Sequence, residues 1–218
     1  MWSRQYLILV TTALATTLTL LLLLAFQYSP EPRCNGLTLR ECLSPPNGEP
    51  TYETALILGT NNLKLFVDRI AYDPGKDKVV WLYQYIPRPL RRLAWLYHFV
   101  TRKHALAEDA YILLQVLGPR ASPAIPQLTE IASTPNPVPV TAGRALVVLD
   151  SIGEPGLAAI CSLINNTNYV ARLMAFQFVA RRADSSSVRD MLNRALDDPD
   201  PTIRKQAQRT LALRPNAH

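Results

Sequence analysis

The sequence predicts an all-α protein, a short α-solenoid of stacked helix pairs behind an N-terminal transmembrane helix. Three observations predict it. Apolar and turn residues recur every 32 positions across the second half of the chain. Prolines collect where one helix would give way to the next: Pro119, Pro135, Pro137, Pro155, Pro199 and Pro201. An uncharged run of 21 residues occupies 6–26, close to the amino terminus. A fixed period in the range of about 20–50 residues marks stacked units, each too small to bury its own apolar side.

The period shows in several registers at once. Asn136, Asn168 and Asp200 each fall in a polar or proline-containing turn. Gly143, Ala175 and Ala207 keep the interval, as do Val147, Val179 and Leu211. A second series runs Ala124, Gly156, Val188; then Leu128, Ile160, Leu192; then Ile131, Leu163, Ala195. Within each series the steps are about one helical turn, so every repeat holds two amphipathic helices. Proline suits the turns because the first position of a helix has no amide bond to lose.

Taken in order, 6–26 is dense in leucine from Leu18 to Leu24. At 1.5 Å per residue it extends about 31 Å, enough for a hydrocarbon core of roughly 30 Å. An atypical cleaved signal is the alternative, but the run is long and 25–29 offers no good small-x-small pair. The sequence thus predicts an anchor over 1–28. Arg4 favours an inside amino terminus, whereas Arg33 and Arg40 count the other way. The expectation is a single-pass membrane protein with an extracytoplasmic C-terminal domain.

Residues 29–50 read as an irregular linker with one amphipathic turn at 37–43. Cys34 and Cys42, eight apart, are a candidate disulfide if that side is oxidising, with two thiols as the alternative. Residues 51–104 begin with a degenerate repeat: a helix closed by Leu58-Gly59, a second bearing Leu63, Phe66, Val67 and Ile70, and a turn at Asp73-Pro74-Gly75. The aliphatic-glycine closure returns at Leu117-Gly118 and Ile152-Gly153.

From Lys78 to His104 the chain has no acidic residue, yet it carries six lysines and arginines among six large aromatics. Pro87 and Pro89 divide it into a helix over 79–86 and another from Leu90. On the second, Arg91, Arg92, His98, Arg102 and Lys103 share a face with Trp95 and Phe99. Arg91, Arg92, Trp95, Phe99 and Arg102 are therefore candidate partner-binding residues, for a membrane surface or an acidic partner. The plainer reading is a helix with neighbours on two sides. Repeats fill 105–218, and the last helix, 202–213, acts as a polar cap.

The phrase from Asp197 to Ala207, an acidic-proline turn, aliphatic, arginine, then alanine, resembles the first-helix signature of HEAT repeats. Residues 137–153 and 169–183 are weaker copies, and 113–128 is similar to that family's helix–turn–helix. With the segment around Gly59 and Asn35-Gly36, the chain also resembles bacterial membrane-anchored HEAT-repeat proteins. The resemblance implies antiparallel pairs in a right-handed superhelix that binds partners on its concave side. It also implies an Asp–Arg ladder between neighbours, here Arg172, Asp200 and Arg204, incomplete because Asn136, Asn168 and Val140 occupy matching positions.

Chemistry is scarce. Of His98, His104 and His218, the first two stand six apart and would fall on opposite sides of a helix, unsuited to chelation, so no metal is expected. Glycine-rich phosphate loops, nucleophile elbows and HExxH are missing from the sequence. Cys161, beside Ile160, reads as a small core hydrophobe, and the Asp197, Asp198, Asp200 cluster as helix capping. The 48% hydrophobic and 18% charged composition excludes a disordered chain. A net charge of +6 does not by itself indicate nucleic acid, which a translocated domain would seldom meet. The expected function is a monomeric, cofactor-free, non-catalytic scaffold for a protein partner. The rivals are a HEAT-like enzyme of lyase or glycosylase type and a module for nucleic acid or an anionic surface.

Overall fold

The computed structural model describes residues 11–12, 17, 31–43, 52–134, 139–180 and 186–212. Two compact units divide the chain, Met1–Pro32 and Arg33–His218. The expected anchor lies outside the described residues apart from Thr11, Thr12 and Thr17. Among the described residues no helix is long and apolar enough to cross a membrane.

Among the described residues the second unit is mostly helical. It opens with a two-stranded antiparallel hairpin, β1 (Arg33–Cys34) and β2 (Leu37–Thr38). Asn35 (φ 52°) and Gly36 (φ 80°) form its two-residue turn. That asparagine–glycine pair is the favoured one where both central residues need positive φ. A short helix α1 (Leu39–Leu43) follows, with Leu39 and Cys42 buried. Its amino end is tied by Glu41, which accepts from the Thr38 N–H at 2.7 Å and the Thr38 hydroxyl at 2.8 Å. Over 33–43, part of the stretch that the sequence reads as irregular linker, the chain is ordered by these two local devices.

Helices α2 (Tyr52–Asn61) and α3 (Leu63–Ile70) come next, the latter burying Phe66, Val67 and Ile70 on one face. Beyond a turn at Pro74–Lys76 lie the short α4 (Lys78–Tyr83) and α5 (Arg88–Arg91). The rest is α6 (Ala94–Leu117), α7 (Ile125–Ser133), α8 (Pro139–Ser151), α9 (Glu154–Ser162), α10 (Tyr169–Val179), α11 (Ser186–Ala195) and α12 (Pro201–Ala212).

These helices make two rows. In one, α6 touches α8 and α8 touches α10. In the other, α7 touches α9 and α9 touches α11. Sequential neighbours α7–α8, α8–α9, α9–α10 and α11–α12 join the rows. Helices α2 and α3 lie against α6. Leu128, Ile160 and Leu192, one period apart, are all buried in the common core, as are Ala175 and Ala207.

Two local expectations are corrected. Residues 104 and 105 both lie within α6, a continuous 24-residue helix. Neither proline nor glycine occurs between 94 and 117, so nothing breaks the hydrogen-bond ladder there. The helix expected from Leu90 instead ends at Arg91 and restarts after Leu93. Gly59, read as a helix stop, lies inside α2. A Cβ there would stand 2.9 Å from Leu117 Cδ1 and 3.1 Å from Leu113 Cδ2, so its lack of side chain serves close packing on α6. Gly118 (φ 52°) and Gly153 (φ 92°) do end their helices, in the left-handed region that glycine enters without strain.

Candidate functional site

Two places gather the residues singled out by the sequence: the turns that precede α10 and α12, and the corner made by α4, α5 and the start of α6.

The turns repeat one another bond for bond at the 32-residue interval. Before α10, Asn166 Oδ1 accepts from the Asn168 N–H at 2.8 Å, and Asn168 Oδ1 caps the helix through the Val170 N–H at 3.0 Å. Before α12, Asp198 Oδ1 accepts from the Asp200 N–H at 2.8 Å, and Asp200 Oδ1 caps through the Thr202 N–H at 2.7 Å. Arg172 Nη1 donates to the carbonyls of Asn166 and Thr167 at 3.0 and 3.2 Å. Arg204 Nη1 donates to those of Asp198 and Pro199 at 2.6 and 2.9 Å. Short polar side chains can replace backbone partners in this way because they reach an amide two residues on.

The turns are also bonded to one another. Arg172 Nε and Nη2 donate to the two carboxylate oxygens of Asp198 at 2.8 and 3.3 Å, both side chains being almost fully buried. Asn168 donates back to the Thr134 carbonyl at 2.9 Å. The rung expected between Arg172 and Asp200 thus falls on Asp198, two residues earlier. Asp200 has its own oxygen engaged as a cap. Burial pushes its carboxyl up, but hydrogen bonds from Thr202 and Ile203 and the charge of Arg172 outweigh this and hold it below the usual range.

One rung escaped the sequence. Arg144 on α8, with its side chain 4% exposed, donates to Glu108 of α6 through Nε at 3.0 Å and again through Nη2. It also donates to the Tyr72 carbonyl at 3.4 Å and stands 3.4 Å from His104 Nδ1. A lone arginine within the otherwise uncharged stretch 139–149 was the available signal.

At the second place, α4 and α5 bury none of their residues, and the first buried side chain of α6 is Val100. Trp81, Tyr85, Leu90, Leu93, Trp95 and Tyr97 are all exposed by 40% or more. The candidate residues divide. Arg91 is half-buried: its guanidinium donates to the carbonyls of Ile86, at 2.6 Å, and Gln84, and lies 5.8 Å from the Tyr83 ring centre. That side chain shapes the turn. Arg92 and Trp95 are exposed, while Phe99 and Arg102 are half-buried.

Asp77 ties this corner to α6. Its Oδ1 caps α4 through the Val79 N–H at 2.8 Å, and its Oδ2 accepts from Lys103 at 3.0 Å and the Tyr72 hydroxyl at 3.1 Å. Burial raises the Asp77 carboxyl, but these donors outweigh it and hold it below its ordinary value. Burial, followed by the Asp77 charge, pushes the Tyr72 hydroxyl well above the usual tyrosine range.

Cys42 faces the core beside Leu39, while Cys34 is half-buried in β1. The structure draws no disulfide between them. Cys161 is half-buried, and burial first, then Glu154, pushes its thiol up to about 11. Such a thiol is a poor nucleophile at neutral pH. Among the described residues no group of histidine, cysteine and carboxylate side chains could hold a metal ion. Comparison with family models, curated proteins and solved structures finds no match to this chain.

Proposed function

We propose that this chain is a non-catalytic interaction scaffold: a short HEAT-type α-solenoid of right-handed, antiparallel pairs, held at a membrane by residues 6–26. The observation that carries the reading is the duplicated turn. Asn166, Asn168 and Arg172 make the same local bonds as Asp198, Asp200 and Arg204, 32 residues on, and Arg172 then reaches across to Asp198. Two rows of helices, each touching the next member of its row, agree with stacked units. The uncharged run at 6–26 supports the anchor.

In this reading function is surface presentation to a protein partner. One contact area is the groove between α10 and α12, lined by Phe176, Gln177, Ala180, Gln206, Arg209 and Thr210. The basic–aromatic corner is a second. The test is the full chain in its own membranes, with a photo-reactive residue at Gln177 or Arg209. Retention of the chain after alkaline carbonate and a discrete protein adduct are expected. Release by carbonate would remove the anchor from the reading, and no discrete adduct at either position would remove that groove.

A further inference from the structure

We infer that the corner formed by α4, α5 and the first turns of α6 lies on the headgroup region of an anionic lipid bilayer. This deepens the proposed reading, on which it rests for the presence of a membrane.

Composition and exposure carry the inference together. Trp81, Tyr85, Trp95 and Tyr97 expose between 54% and 66% of their surface, and Leu90 and Leu93 stand beside them in sequence at 50% and 40%. Single exposed apolar residues are ordinary, but such a concentration of rings and leucines between 81 and 97 is a surface with a use. None of α4 or α5 is buried and α6 buries nothing before Val100, so these rings lie outside the buried core. Tryptophan and tyrosine combine an apolar body with one polar atom, which suits the boundary between headgroups and acyl chains.

Charge decides the kind of bilayer. Residues 78–104 contain no aspartate or glutamate. Three of the six cations are engaged within the fold, Arg91 with backbone carbonyls, Lys103 with Asp77, and Arg102. Lys78, Arg88 and Arg92 are exposed and hold no counter-charge among the described residues. Arginine and lysine can keep their stems along the apolar surface while their heads meet phosphate. Each such cation near an anionic surface adds to adsorption, and tethering through 6–26 raises the local lipid concentration further.

The experiment uses the full chain with Trp2→Phe, so that Trp81 and Trp95 report alone, reconstituted into brominated phosphatidylcholine vesicles with about one third phosphatidylglycerol. Bromine quenches a tryptophan only where the ring meets the lipid. Quenching is expected with phosphatidylglycerol, and it should fall when salt is raised or phosphatidylglycerol is omitted. The variant Arg88→Glu/Arg92→Glu should lower the docked population by roughly tenfold or more. Neither arginine has a side-chain partner among the described residues, so the variant's thermal midpoint should match the parent. The salt series on the unaltered chain gives the same answer without any substitution.

A chain that resists carbonate but shows no quenching would overturn the inference and leave the anchor standing. Quenching indifferent to salt, lipid charge and the double variant would also overturn it. Salt-sensitive quenching in a chain that carbonate releases would sustain the corner as a peripheral lipid site and remove the anchor.

Discussion

Replacing Arg172 by methionine would leave the Asp198 carboxylate almost fully buried without its guanidinium partner and supported by one donor. In the intact protein that carboxylate takes two bonds from Arg172 and one from the Asp200 N–H. Breaking a buried pair from one side costs about 3–5 kcal/mol, because the remaining charge stays out of water. At about 2–4 °C per kcal/mol for a chain of this size, the midpoint should fall by about 10 °C. Arg204→Met is the internal control. It removes bonds to two carbonyls that are the counterparts of those held by Arg172, but strands no carboxylate, and should cost about 1 kcal/mol. The double variant Arg172→Met/Asp198→Asn should return to within about 1–2 kcal/mol of the parent. Asparagine can keep the N–H bond, as Asn166 does one period earlier. The assay is thermal and urea unfolding of the full chain followed by helix ellipticity. Equal losses for Arg172→Met and Arg204→Met, or a double variant no better than the single, would refute the reasoning.

Four further outcomes are expected. Asp77 has a depressed carboxyl in the folded state, so its charge stabilises above the ordinary carboxylate range and that stability is lost on acidification; the deficit of Asp77→Asn at pH 7 should fade below about pH 4 in urea titrations. Asn168→Ala removes a helix cap and the bond to the Thr134 carbonyl and should cost about 1–2 kcal/mol, whereas Asn168→Asp keeps the cap and should cost about half of that. Gly156→Ala would place a Cβ 1.8 Å from the Leu149 carbonyl oxygen, forcing α9 away from α8, with an expected loss of about 1–3 kcal/mol in the same unfolding assay. With a pKa of about 11, Cys161 should react with iodoacetamide at pH 8 about a hundredfold more slowly than an ordinary thiol, as read by peptide mass.

Core positions were the most legible part of the fold. Leu128, Ile160 and Leu192 could be read as buried because a helix face that meets a neighbour must be apolar at every recurrence. Gly118 and Gly153 were legible as stops, since each follows an aliphatic residue at the end of an apolar stripe. The identical local signal at Leu58-Gly59 misled. There the glycine answers to Leu113 and Leu117, more than fifty residues away, which no local pattern contains. The ladder was legible by residue type and not by register. Asp198 and Asp200 both follow the repeat, and only geometry tells the cap from the counter-ion. Of the basic–aromatic corner, the sequence showed composition. It could not show that Arg91 folds back onto its own turn while Arg92 remains open.

The buried arginines on neighbouring helices of one row look in opposite directions along the chain. Arg144 reaches back to Glu108, and Arg172 reaches forward to Asp198. Paring the molecule down from either flank would abandon a cation in an oily setting, one at each cut. Arrays whose members are joined by apolar contact alone can fray progressively from their tips. Here the middle clasps both flanks, so melting should begin late and finish abruptly, with the helix ellipticity lost in one narrow interval.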